Sequence, residues 1–403
     1  MKRQTEPLSE FEQQIADQLK AGKPLTGEDG IFTPMMKRVL ESMLEGELAS
    51  HMEESSGPGK NRRNGLGVKN LKSSLGSFEI STPRDRAGTF EPEVVKKRQT
   101  TLSSDIDRKI ISLFSHGMSY NDIRGHIADI YGIEVPDSMM NQITDKVLPE
   151  IAQWKSRPLE EVYSVVWLDA IHYKIREDGM VKKKAVYCAI GLDLEGQKDV
   201  LGFYIGENES ARFWLQVLQD LQQRGVKDVL IACTDNLKGF VAAIETVFPQ
   251  TECQLCIVHQ IRNTIKMVSY KHVKEVIADL KLVYQASNSE VAFAQLDIVK
   301  EKWLKVYPQL TRSWHDNWDN LSYYFKYPEQ IRRIIYTTNT VEGFHRMLRK
   351  ATKTKGAFTN ENALSKIIYL TILQAMEKWK RPVHNWNMVY SQFLIYFENR
   401  ITA

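Results

Sequence analysis

The chain has 403 residues, 42% of them hydrophobic and 26% charged; at about 100 to 200 residues per domain this implies two to four folded domains and excludes a disordered tail. Lys+Arg exceed Asp+Glu by 54 to 50, a formal charge of only +4, so the placement of charge says more than its sum. Four cysteines, an opening MKRQTEPLSE with no signal-peptide pattern and no apolar run of about 18 residues argue for a cytoplasmic chain without disulfide scaffold or membrane span.

The first 56 residues read as helices, with Met36, Val39, Leu40, Met43, Leu44 and Leu48 near helical spacing before Gly57-Pro58-Gly59 stops the pattern. From Gly57 to Ser77 five basic residues (Lys60, Arg62, Arg63, Lys69 and Lys72) stand without an acid among glycines and asparagines. Such a segment reads either as a solvated loop or as one that approaches a phosphate backbone. SFEISTPRD alternates like a short strand, and Arg84, Arg86 and Lys96 to Arg98 extend the basic character. Residues 104–154 hold three amphipathic segments, with Gly117 and Gly132 as stops and Ser119 and Asp137 as N-caps. This pattern fits a helix-turn-helix and equally any small helical bundle.

After Pro158 the period changes. Residues 162–171, 182–193 and 197–206 are β-branched and aromatic-rich runs joined by short polar turns, the signature of an antiparallel meander. A helix is predicted at 211–225, a buried strand at 227–235 and a helix at 237–248. This is a mixed α/β order in which the fourth strand runs parallel to the first. Residues 257–335 turn helical, including a stretch with Trp314 and Trp318 spaced i, i+4, and helices follow from Asn339 to Lys353 and from about Asn362 to Trp379.

Asp169 ends the apolar run VVWL and Asp235 ends VLIACT. Each alone reads as a turn former or helix cap. Side by side on neighbouring parallel strands, two such carboxylates raise each other's pKa unless a cation lies between them, and Mg²⁺ favours carboxylate oxygens. Glu342 is the third acid; Asn339-x-x-Glu342 also fits a capping box. On the helical wheel Glu342, His345, Arg346, Arg349 and Lys353 share one face and Val341, Phe344 and Leu348 the other. Five basic residues and no acid occupy 343–355, so an acid heads a basic track that also includes Lys350.

The order Asp169, Asp235, Glu342 resembles the DDE transposases of the Mutator-like class found in bacterial insertion sequences. The resemblance is carried by VVWLDAIHYKIRED, ENESARFWLQVLQDLQQRGVKDVLIACTDNLKGF, CQLCIVHQIRN and IYTTNTVEGFHRMLRK, and it spans nearly the whole chain. His345 is a departure, since many relatives carry asparagine there. The resemblance implies an α/β fold: a ribonuclease-H-like catalytic core with an all-helical insertion between the second and third acids, plus an N-terminal helical, helix-turn-helix DNA-binding region. It implies that Asp169, Asp235 and Glu342 bind two Mg²⁺ or Mn²⁺ ions for in-line phosphoryl transfer, that the partner is DNA (terminal inverted repeats and target), and that the protein acts as a homodimer.

The organisation expected is an N-terminal helical region (1–56), a basic DNA-contacting segment (57–101), a helix-turn-helix-like domain (102–157), the core in two parts (158–269 and 336–403) and the insertion (270–335). Cys256 and His259 match a Cys-x-x-His element of similar proteins; with Cys253 they spell C-x-x-C-x-x-H, but no second Cys/His pair completes a structural zinc site. Cys256, His259 and His345 are therefore candidates for active-site support. Asn141 and Gln142 are candidates for adenine edges, and Trp318 either packs its helix or stacks on a displaced base. A DNA-binding regulator that has lost catalysis and a general ribonuclease-H-like nuclease are the alternatives.

Overall fold

The computed structural model describes residues 10–25, 29–54, 61–73, 76–99, 104–131, 134–207, 210–336 and 339–401. The chain forms two compact units, Met1–Lys146 and Val147–Ala403. Lys60 and Gly132 lie outside the described residues.

In the first unit, helices α1 (Glu10–Lys20) and α2 (Thr33–Glu54) precede an antiparallel hairpin of β1 (Arg63–Ser73) and β2 (Gly76–Asp85). The basic stretch predicted as a loop is thus largely a strand. Its side chains carry little apolar signal, and its register with β2 (Leu71 opposite Phe78, Lys69 opposite Ile80) holds it in place. Leu40 and Leu44 of α2 pack with Leu71, Phe78 and Ile80 of the hairpin in one apolar cluster, while Val39 and Met43 remain exposed.

Helices α3 (Ser104–Ser115), α4 (Tyr120–Tyr131) and α5 (Asp137–Asp145) follow. Gly117 adopts φ 88°, a left-handed conformation that glycine takes without a Cβ penalty. With it the amide of Met118 reaches back to the Leu113 carbonyl at 3.3 Å and closes α3. Ser119 caps α4 reciprocally with Asp122: Asp122 N–H donates to Ser119 Oγ, and Ser119 N–H donates to Asp122 Oδ2, both at 3.2 Å. Asp137 is not the cap of α5 as expected. Pro136 holds that position, and the Asp137 carboxylate instead takes Arg124 at 2.6 Å. The third amphipathic segment also divides, because α6 (Leu148–Lys155), with its Pro in the first turn, begins anew and belongs to the second unit.

The second unit is built on a five-stranded sheet in the order β5-β4-β3-β6-β7. Strands β3 (Val162–Glu177), β4 (Met180–Leu192) and β5 (Lys198–Gly206) form the meander, and β6 (Asp228–Thr234) and β7 (Glu252–Leu255) add in parallel beyond β3. Parallel strands need crossover connections. Helices α7 (Ala211–Gln223) and α8 (Phe240–Val247) supply them and bury Trp214, Leu218, Leu221, Phe240 and Ile244 in one cluster with Val166, Leu168 and Tyr187.

Strand β3 runs six residues beyond the predicted 171. Its polar tail still alternates, with Ile171 and Ile175 buried between exposed His172, Lys174 and Arg176. After α9 (Ile257–Ile265) come α10 (Tyr270–Tyr284), α11 (Ser289–Trp303), α12 (Arg312–Asp316), α13 (Trp318–Ser322), a 3-10 turn (Tyr323–Lys326) and α14 (Glu329–Ile335), so the described residues of 270–335 form helices and no strand. Helices α15 (Asn339–Thr352), α16 (Glu361–Lys378) and α17 (Trp386–Tyr396) complete the unit.

Candidate active site

The parallel register of β3 and β6 runs from Val162 opposite Asp228 to Leu168 opposite Thr234. One step further, Asp169 comes beside Asp235, on strands about 4.8 Å apart. Both acids therefore stand where the buried apolar runs end, Asp235 just past the carboxyl end of β6 and Asp169 within β3, which continues beyond β6 to Glu177. Ligand sites of open α/β sheets form outside the carboxyl ends of their strands. The Asp169 side chain is 13% exposed and its Oδ1 accepts the Ala170 N–H at 2.8 Å. Neighbouring β7 continues into the turn at Cys256, whose N–H donates to the Thr234 carbonyl at 2.7 Å. The start of α9 is thus tied to the residue before Asp235.

Helix α9 turns His259 toward Asp169. Cys256 is its N-cap, its Sγ accepting the His259 N–H at 3.4 Å, and His259 Nε2 lies 4.0 Å from Asp169 Oδ2. Three residues further on, Arg262 forms an ion pair with Glu342 of α15. Cys253 and Cys256 are buried in the core. Among the described residues no group of three or more His, Cys, Asp or Glu side chains is spaced to hold a metal ion.

Helix α15 buries Val341, Phe344 and Leu348 as its spacing predicts, and leaves Arg346, Arg349, Lys350 and Lys353 exposed. His345 departs from the predicted polar stripe. It is 3% exposed and its Nδ1 sits 3.4 Å from Asp169 Oδ2, which docks the helix carrying Glu342 onto the strand carrying Asp169. Burial, followed by the charges of Arg349 and Arg262 and the nearby His259, pushes the His345 imidazole down to about 3. Burial and Arg262 likewise lower His259. The His345 ring is therefore neutral near pH 7, with one nitrogen able to donate and one to accept a hydrogen bond. The capping box expected at Asn339 rests on a side chain outside the described ones; the Glu342 carboxylate is engaged by Arg262.

Of the sequence candidates, the structure sets His259 and His345 beside Asp169, pairs Glu342 with Arg262, and leaves Asp235 just past the end of β6. Sequence reading missed Arg262. It shares a face of α9 with His259, three residues before it, but only the contact with Glu342 marks it out.

The nucleic-acid candidates of the first unit divide. Arg62, Arg86, Asn141 and Gln142 are exposed, although Asn141 Oδ1 accepts the Tyr120 hydroxyl at 3.1 Å. Arg63 pairs with Glu45 at 2.8 Å. The amines of Lys69 and Lys72 donate to the carbonyls of Lys96 and Glu134 at 2.6 and 2.7 Å, and the Arg84 guanidinium lies directly over Gly67. In the second unit Trp314 and Trp318 do not share a helix as their spacing predicted: Asn317, at φ −115° and ψ 15°, separates α12 from α13. Trp314 is buried and donates to Thr264 Oγ1 at 2.8 Å. Trp318 meets Phe293 edge-on, with ring centroids 5.1 Å apart.

The second unit is thus a mixed α/β sheet with a long helical excursion after β7, with Asp169 within β3 and Asp235 just past β6. Residues 3–382 match the family described as Transposase, Mutator family. The chain is 41% identical over 396 residues to a probable transposase for an ISRM3-like insertion sequence element of Sinorhizobium fredii, covering 97% of this chain and 99% of that one. It is 40% identical, with the same coverage, to the ISRM3 transposase of Rhizobium meliloti. The transposase of IS256 in transposon Tn4001 of Staphylococcus aureus is 22% identical, over 87% of this chain and 90% of that one. The chain belongs to the Mutator family of transposases. Among solved structures, a simian T-cell lymphotropic virus intasome in complex with the PP2A regulatory subunit B56 gamma overlaps 30% of this chain and 44% of that one, at 15% identity and a TM-score of 0.18, too slight an overlap to carry an argument.

Proposed function

We propose that this transposase binds the terminal inverted repeats of its own insertion sequence and cleaves and joins DNA strands with divalent cations held by Asp169, Asp235 and Glu342 on a ribonuclease-H-like core. The observation that carries the reading is the β3–β6 register, which sets Asp169 level with the residue that follows β6, Asp235, together with the His345 contact that brings the Glu342 helix to Asp169. Hard carboxylate oxygens so placed fit Mg²⁺ or Mn²⁺. Asp169 and Asp235 supply the paired donors. Glu342 supplies the third once its carboxylate leaves Arg262.

Divalent ions held by Asp169, Asp235 and Glu342 would supply activation of a water or a 3′-hydroxyl and stabilisation of the leaving oxygen in an in-line displacement. This chain's own residues position the reaction. His345 and, further off, His259 stand beside Oδ2 of Asp169, and α9, tied to the end of β6, holds Arg262 over Glu342. Sequence recognition falls to α4 and α5, with Asn141 and Gln142 as base-reading candidates and Arg62, Arg86 and the β-hairpin beside them. Two element ends have to be joined in one complex, which favours a homodimer. Among the described residues no helix is long and apolar enough to cross a membrane.

The test is Mg²⁺-dependent nicking of a labelled duplex of the element's own end, beside a scrambled duplex. Asp169→Asn, Asp235→Asn and Glu342→Gln should each reduce cleavage by about a hundredfold to a thousandfold, the scale expected when a charge-stabilising group is lost from a reacting centre, while leaving repeat binding within about threefold. Substantial cleavage by any one variant removes that acid from the site. Repeat-specific binding by the wild type without cleavage would instead make the protein a DNA-binding regulator.

A further inference from the structure

Two helices converge on Asp169, and their side chains meet again one turn beyond each contact. His259 of α9 and His345 of α15 stand 4.0 and 3.4 Å from Asp169 Oδ2. Arg262 follows His259 by three residues and Glu342 precedes His345 by three, so each shares the face of its neighbour, and the two close an ion pair from α9 to α15. The opposite end of α15 is secured separately: Phe358 N–H donates to the Lys174 carbonyl and Arg176 N–H donates to the Phe358 carbonyl, both at 2.8 Å. The Arg262 pair acts at the first turn of the helix.

This pair engages a carboxylate that the proposed reaction needs elsewhere. A carboxylate turned to a guanidinium offers its charge and lone pairs to that partner, and a divalent ion brought to the same oxygens is repelled by the fixed positive charge beside them. Raising the pH does not free Glu342, because arginine stays protonated throughout the accessible range. A competing anion does. The guanidinium fork fits phosphate as well as carboxylate, and the Arg262 side chain is 49% exposed against 25% for Glu342, so the guanidinium is the partner that an arriving strand reaches first. The surroundings attract such a strand: Lys266 lies exposed one turn beyond Arg262 on α9, and Arg346, Arg349 and Lys350 lie exposed along α15. The exchange is also inexpensive, since an ion pair this accessible to water shifts an equilibrium by only about two- to fivefold.

We propose that Arg262 is a positioning residue that keeps Glu342 from the metal site until a DNA phosphate takes over its guanidinium, so that the substrate itself releases the third donor. The proposal rests on the metal-dependent reading of the three acids and deepens it by naming what completes the site.

The first measurement needs neither DNA nor turnover. Mn²⁺ is titrated into wild type, Arg262→Gln and Arg262→Lys, with free Mn²⁺ followed by electron paramagnetic resonance. Arg262→Gln should bind about two- to fivefold tighter than wild type, and Arg262→Lys, which keeps the charge and can still pair, should stay near wild type. Loss of any nearby positive charge favours a cation, so the comparison is repeated in a Glu342→Gln background, where a gain that passes through this carboxylate disappears. The second measurement is duplex binding across a salt series in EDTA. Arg262→Gln should lose about 0.9 from the slope of log K against log salt, the share of one phosphate, equally for end and scrambled duplexes, and Arg262→Lys should restore it. Equal Mn²⁺ affinity in wild type and Arg262→Gln, undetectable binding in both included, overturns the proposal. So does a gain that survives in Glu342→Gln, or a salt slope that Arg262→Gln leaves unchanged. Each of these outcomes leaves the proposed function standing as long as wild type nicks the end duplex in Mg²⁺. Wild-type protein that neither binds nor nicks duplex DNA sinks the functional reading, and the role of Arg262 with it.

Discussion

Single residues reveal what periodicity hides. Asp85, which closes the hairpin of the first unit, accepts Asn61 Nδ2 at 2.7 Å and both the amide and hydroxyl of Thr89 at 2.9 Å. Burial works to raise its pKa, but these bonds win and hold the carboxyl well below the ordinary aspartate range. A depressed folded-state value means that the stabilisation is fully present above the unfolded-state pKa of about 4 and is lost as pH falls toward the folded one. Asp85→Ala should cost about 2 to 3 kcal/mol at pH 7, since it strands three donors, and the deficit should shrink as urea denaturation is repeated below pH 4. A deficit that holds constant with pH would show that the charge is not what Asn61 and Thr89 recognise. In the sequence Asp85 is one acid among basic neighbours, and nothing in its spacing marks it. The aspartates at 169 and 235 were legible because each interrupts a buried apolar run. Arg262 was not, because an exposed arginine on an amphipathic helix carries no signal until Glu342 is found beside it.

At the level of elements, the meander and its parallel partner follow directly from β-branched runs separated by turn residues, and the helical excursion from the loss of that alternation. Strand β1 was hidden for a physical reason: RNGLGVKNLKS has few β-formers, and partner pairing and one buried edge hold it rather than propensity. Two helices in place of one at Trp314 and Trp318 likewise turn on a local backbone break that residue spacing cannot show. Tertiary docking also explains a glycine. Gly196, in the turn between β4 and β5, has φ 79°, and a Cβ there would sit 2.4 Å from the ring of Trp386, whose Nε1 donates to the Leu194 carbonyl at 2.9 Å. Gly196→Ala combines a left-handed backbone with overpacking and should destabilise by roughly 2 to 4 kcal/mol, measured as a lower urea midpoint. Wild-type stability in that variant would mean that α17 docks by other contacts.

On the scale of the whole molecule, each compact unit has its own apolar cluster, Leu44, Leu71 and Ile80 in one and Trp214, Leu168 and Phe240 in the other. Separate cores should melt as separate transitions. Calorimetry should resolve two endotherms, with Asp85→Ala lowering one and Gly196→Ala lowering the other; both variants shifting a single endotherm alike would show one cooperative body. The division itself was only partly legible. Three amphipathic segments looked like one domain because their periodicity runs on through residue 154, whereas the boundary falls between α5 and α6. Such a break depends on which neighbours a helix finds, and that is decided far away in sequence.

The backbone stitch at Phe358 has a mechanical corollary. Because the chain leaving α15 is sewn to β3 at residues 174 and 176, the far end of that helix is pinned to the same strand that bears Asp169. Any travel of Glu342 relative to Asp169 must then be a swing about this anchor, largest at the first turn of the helix. Glu342 thus rides the tip of a lever whose fulcrum is part of the sheet and whose latch is Arg262.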